Sequence, residues 1–147
     1  MTLVSNVMLE LHVPSFEIAK DFYGSLGFEV VWERPSVPTE EGYMVMRRGE
    51  SVLNFYSGTE KVYKHDYFGQ FPRDSKRGYG VEIIVPIVGI EQFYEQVKAS
   101  HGEKINRPLN TKYNQPDFRM EDPFGYYLRF VEAYDWVNGR DKQGNSQ

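Results

Sequence analysis

An α+β fold built from two βαβββ modules is what this sequence predicts, on three observations. The order strand, helix, strand, strand, strand can be read twice along the chain. The halves also match in register. A shift of 72 places Glu10 on Glu82 and Val13 on Val85, and a shift of 75 places Leu53-Asn54-Phe55-Tyr56 on Leu128-Arg129-Phe130-Val131. Third, Asp117 to Glu132 reads as strand, tight turn, strand. Its turn is Asp122-Pro123-Phe124-Gly125, where proline sets φ at the second position and glycine accepts positive φ at the fourth. The expected division is one domain over 1–136, with module one at about 5–57, a connector at about 58–78 and module two at about 79–133, followed by a polar tail over 137–147.

Each element has a local reason. Val7, Leu9, Leu11 and Val13 alternate with Met8, Glu10 and His12, so Asn6 to Val13 is a strand with one buried face. Ser15 suits the N-cap of a helix carrying Phe16, Ile18, Ala19, Phe22, Tyr23 and Leu26, and Gly27 suits its end. Strands follow at Phe28–Trp32, Tyr43–Arg47 and Ser51–Tyr56, the last two joined by an Arg48-Gly49-Glu50 turn at which the pair Arg47-Arg48 is expected to be solvated. Ser57 to Tyr79 is polar, aromatic and irregular, a type of long loop that is usually functional. The pattern restarts with Gly80–Val85, which Pro86 is expected to end. Ile90, Phe93, Tyr94 and Val97 mark a helix that Gly102 is expected to close, and Lys104–Arg107 is a short strand. On the last strand Leu128 and Phe130 share one face, while Tyr127, Arg129 and Val131 share the other. Faces left uncovered by the helices are expected to line a cleft, where ligands prefer to bind.

Composition narrows the partners. The 147 residues are long enough for a sizeable core. A formal net charge of -4 without a basic stripe disfavours nucleic acid and agrees with a cationic or neutral small ligand. The absence of cysteine excludes disulfides and thiolate chemistry. No apolar run reaches membrane-spanning length, so a cytoplasmic protein without a membrane partner is expected.

Three segments carry a family resemblance. They are Leu9-Glu10-Leu11-His12-Val13-Pro14 with Ala19 to Tyr23 and Leu26-Gly27-Phe28; Gly80 to Val85; and Glu121 to Phe130 with its Asp-Pro-x-Gly turn. The chain resembles the vicinal oxygen chelate superfamily, which includes glyoxalase I, extradiol dioxygenases, fosfomycin resistance proteins and bleomycin-binding resistance proteins. The resemblance implies paired βαβββ modules and a homodimer. It also implies a divalent metal held by His and Glu from four strands in the catalytic members. Carried onto this chain, those four positions fall on Met8, Asn54, Gly80 and Arg129, none of them a His or Glu. An arginine at the fourth position puts a fixed positive charge where a cation would sit.

The expectation is therefore a metal-independent small-molecule binding protein, closest to the bleomycin-resistance type, with no cofactor. Its ligand would be aromatic or cationic and would meet Glu10, His12, Asn54, Tyr56, Glu82, Tyr113 and Arg129. Arg129 is expected to bridge the carboxylates of Glu10 and Glu82. Further aromatics, Tyr43, Tyr63, Tyr67, Phe68 and Tyr127, fall on lined faces or loops, while His65 and His101 are expected in solvent. Two alternatives stand beside this reading. One is a glyoxalase-like lyase or dioxygenase using a displaced metal site at Glu10, His12 and Glu82. The other is a dimeric interaction domain with a vestigial cleft.

Overall fold

The computed structural model describes residues 7–112, 115–135 and 137. The chain divides into two compact units, residues 1–75 and 76–147. Unit one contains β1 (Glu10–Val13), α1 (Phe16–Ser25), β2 (Glu29–Arg34), β3 (Gly42–Arg48) and β4 (Ser51–Ser57). Its four-stranded sheet has the order β1-β4-β3-β2, with β1 parallel to β4 and the other pairs antiparallel. Unit two repeats the plan with β5 (Glu82–Ile87), α2 (Ile90–His101), β6 (Ile105–Asn110), β7 (Asp117–Glu121) and β8 (Tyr127–Glu132), in the order β5-β8-β7-β6.

In each unit the helix covers one sheet face. Leu11, Val13, Met44, Met46, Leu53 and Phe55 are buried together with Phe16, Ala19, Phe22 and Tyr23 of α1. In unit two Ile83, Val85, Ile87, Phe118, Met120, Leu128 and Phe130 are buried with Ile90, Phe93, Tyr94 and Val97 of α2. The Phe118 and Phe130 rings stack at 5.0 Å, and Phe93 meets Phe130 at 5.1 Å. Burying one such ring stabilises the fold by roughly 2–3 kcal/mol.

The ends of the elements follow local chemistry. Ser15 caps α1, its hydroxyl accepting from Ile18 N–H at 3.2 Å. Gly27, at φ 96°, closes the helix with a pair of hydrogen bonds: Gly27 N–H to Gly24 O and Phe28 N–H to Tyr23 O. The Asp122 turn forms as expected, with Gly125 at φ 99°. Asp122 is itself buried, and its carboxylate accepts from Phe124 and Tyr126 N–H, each at 2.8 Å.

Several boundaries differ from the sequence expectation. β1 begins only at Glu10, and Val7 and Met8 are exposed. Pro86 does not end β5; the strand runs to Ile87 because β5 lies at a sheet edge, where a missing N–H is tolerated. The same reason lets β6, also an edge strand, continue past Pro108 to Asn110. Gly102 does not adopt the left-handed form. At φ -53° it carries the chain into a 3-10 turn, Gly102–Lys104. Arg48 is not a solvated turn residue; its Nε donates to Leu26 O at 3.0 Å, tying the β3–β4 hairpin to the end of α1.

Strand pairing also revises the repeat. Glu10 pairs with Asn54, and Ile84 pairs with Arg129. With Asn54 and Arg129 equivalent at an offset of 75, the counterpart of Glu10 is Ile84, at an offset of 74. Glu82 therefore stands where Met8 stands, not where Glu10 does. The shift of 72 fails because two alternating strands look alike at any even displacement.

Candidate functional site

The face of sheet one opposite α1 gathers four of the expected residues. Leu11 and Val13 turn into the core, so Glu10 and His12 lie on the other face of β1. Parallel pairing sets Asn54 beside Glu10 and Tyr56 beside His12, and β3 adds Tyr43 beside Tyr56. His12 Nε2 lies 3.1 Å from Glu10 Oε2. Asn54, only 3% exposed, donates its amide N–H to the Tyr43 hydroxyl at 3.1 Å. Burial, and then a hydrogen bond to the Glu10 carboxylate, hold the Tyr43 phenol above its ordinary range, while the Asn54 donor pulls the other way. Asn54, Tyr43, Glu10 and His12 thus form one polar chain across three strands. The Glu10 side chain remains 41% exposed.

An aromatic group lies beside that carboxylate. The His12 ring sits 4.7 Å from Tyr56, 4.6 Å from Phe68 and 5.0 Å from His65. His65 and Phe68 belong to the connector, which forms two 3-10 turns, Lys61–Lys64 and Phe68–Gln70. The expectation of a solvent-exposed His65 is overturned. It is half-buried, and its Nδ1 accepts from Tyr67 N–H at 3.1 Å and Phe68 N–H at 3.3 Å. No periodicity marks this residue; its place depends on the connector folding back over β1.

The face of sheet two opposite α2 has a different character. It carries Glu82, Asp117, Arg119, Tyr127 and Arg129. Arg129 does not bridge Glu10 and Glu82: its Nε donates to Asp117 Oδ2 at 2.7 Å. Glu82 instead accepts from Arg119 Nε, and that bond is the chief reason the Arg119 guanidinium is held above its ordinary range. Asp117, 8% exposed, also lies 3.5 Å from Arg119, so one buried carboxylate serves two arginines. Asp117 and Arg119 were missed as site residues. The signal was present, because the register sets Arg119 directly opposite Arg129, and two facing guanidiniums need an anion between them. Tyr113 lies outside the described residues.

The residues at the metal positions of catalytic relatives do not suit a divalent metal. With the register corrected they are Met8, Asn54, Glu82 and Arg129. Met8 offers a thioether, the Asn54 amide is engaged by Tyr43, Glu82 is engaged by Arg119, and Arg129 is a cation. Among the described residues no three His, Asp or Glu side chains gather to hold a metal, and no helix is long and apolar enough to cross a membrane.

These sheets and faces define a family. Residues 6–130 match the model of the Glyoxalase/Bleomycin resistance protein/Dioxygenase superfamily, and the chain belongs to that superfamily. Comparison with curated proteins finds none that matches. Among solved structures, a bleomycin-binding protein complexed with bleomycin is similar at 21% identity and a TM-score of 0.58, covering 89% of this chain and 100% of that one. A bleomycin resistance determinant encoded on the transposon Tn5 is similar at 19% identity and a TM-score of 0.59, covering 90% and 100%. A protein of unknown function from Agrobacterium tumefaciens str. C58 has a TM-score of 0.68 at 16% identity, covering 91% and 98%. These likenesses establish the shared fold.

Proposed function

We propose that this chain is a metal-independent binding protein for a small aromatic cation, with no cofactor, acting as a cytoplasmic homodimer. The observation that carries the reading is the Glu10 carboxylate, part-exposed and held by His12 and Tyr43, with the rings of Tyr56 and His65 packed on His12. A fixed carboxylate next to aromatic faces and edges suits a cation carrying a planar ring. Asn54 supports the site by orienting Tyr43. Within the second unit, Glu82, Arg129 and Tyr113 are assigned ligand contacts of their own. Glu82 and Arg129 act as neutralised polar groups, because Arg119 and Asp117 already balance their charges. The solved relative in complex with bleomycin, a small-molecule ligand, lends support from within the superfamily.

Calorimetry on chelator-treated protein tests this, with bleomycin and the planar cation berberine as ligands. Binding without added metal is expected for at least one of them. Glu10→Gln should weaken it about ten-fold or more, the range of a lost charge contact at a part-buried carboxylate. Binding that appears only when a divalent metal is supplied, and disappears in Glu10→Gln or Glu82→Gln, would transfer the case to the metal-dependent lyase or dioxygenase reading. No binding under either condition would favour the vestigial cleft.

A further inference from the structure

The connector places one of its own rings where an aromatic ligand would bind. Phe68 lies with its ring centroid 4.6 Å from His12 and 4.9 Å from His65, edge-on or tilted to both. These are the contacts an incoming planar ring would seek beside Glu10. The two 3-10 turns of the connector are held unequally. Lys61–Lys64 is anchored by Val62, which is 2% exposed, whereas Phe68–Gln70 contributes no buried residue. Phe68 itself is 41% exposed, and its neighbours Tyr67 and Phe71 are 58% and 48% exposed. The second turn is tied locally: Gly69 N–H donates to His65 O at 2.7 Å, and His65 Nδ1 accepts from Tyr67 and Phe68 N–H. His65 is thus the residue that aims Phe68.

We propose that Phe68 is a built-in plug, displaced by the aromatic ring of the ligand, so that the Phe68–Gln70 turn must lift for the site to fill. The proposal rests on the binding reading above and refines its ligand class to a six-membered aromatic ring joined to a cation. Because only plug-lifted molecules bind, the observed affinity is lowered by their fraction. Removing the plug removes that penalty.

The test compares berberine binding to the wild-type chain and to Phe68→Ala, alongside amide hydrogen exchange of the wild-type chain. Phe68→Ala should bind about ten-fold more tightly, mainly through faster association. Saturating berberine should speed exchange of the Gly69 and Phe71 amides while leaving β4 amides unchanged. Equal or weaker binding by Phe68→Ala overturns the plug, as does slower exchange at Gly69 and Phe71 on binding. In those cases wild-type binding still stands, and the binding reading survives. Binding by Phe68→Ala alone supports the plug in its strongest form. If neither protein binds berberine, the plug falls together with the reading beneath it.

Discussion

Tyr43 shows how much one side chain depends on its neighbours. Its phenol is held above the ordinary value of about 10 by burial and by Glu10. The folded chain therefore keeps a proton that the unfolded chain releases. The resulting stabilisation is fully present below pH 10 and is lost as pH rises through the folded value. Difference absorbance at 295 nm between wild type and Tyr43→Phe should show one phenol ionising late. Glu10→Gln should move it back toward the ordinary value without removing the part due to burial. At this scale the sequence was partly legible. Alternation on β1 and β4 placed Glu10, His12, Asn54 and Tyr56 on one face, as observed. It did not reveal their bonds. Arg129 found Asp117, twelve positions away across a hairpin, which alternation on a single strand does not show.

The two helices solve the same problem differently. α1 starts on Ser15, whose hydroxyl satisfies an end donor. α2 starts on Gly89, which has no side chain to offer, and Glu132 reaches over from β8 to accept from Gly89 and Ile90 N–H at 3.0 and 3.2 Å. Glu132→Ala should destabilise the chain by about 1–2 kcal/mol in chemical denaturation, the cost of a lost cap. Asp122→Ala should cost about 2–3 kcal/mol, since two N–H donors lose their buried acceptor. A smaller loss would mean that water enters the turn. Ser15 and the Asp122 turn were legible because caps and turns are written in adjacent residues. Glu132 was not, because its role belongs to a tertiary contact with a helix more than thirty positions earlier. Gly102 misled for a related reason: glycine permits the left-handed form but does not compel it.

Across the whole chain, the two units share strand order, orientation and buried-face pattern, while their open faces diverge. One is aromatic with a part-exposed carboxylate; the other is a lattice of arginines and carboxylates. This is why the fold was readable from the sequence and the site only in part: core faces repeat a simple alternation, whereas open faces are set residue by residue. The donor set at the metal positions leads to a further expectation. Thermal melts of chelator-treated chain should coincide with and without excess zinc, manganese or magnesium ions; a clear upward shift would show that a metal finds ligands.

The two offsets have a consequence of their own. β1 to β5 and β3 to β7 are displaced by 74 positions, but β4 to β8 by 75. The additional residue lies in a hairpin tip. Gly49-Glu50 joins Arg48 to its partner Ser51, while Pro123-Phe124-Gly125 joins Asp122 to Tyr126. The length difference across this part of the two copies comes down to one residue, at a place where an extra residue leaves both flanking strands in phase. One extra residue within a strand would turn every later side chain of that strand to the opposite face. The one-residue difference between the two copies therefore sits within the Asp-Pro-x-Gly turn of the second.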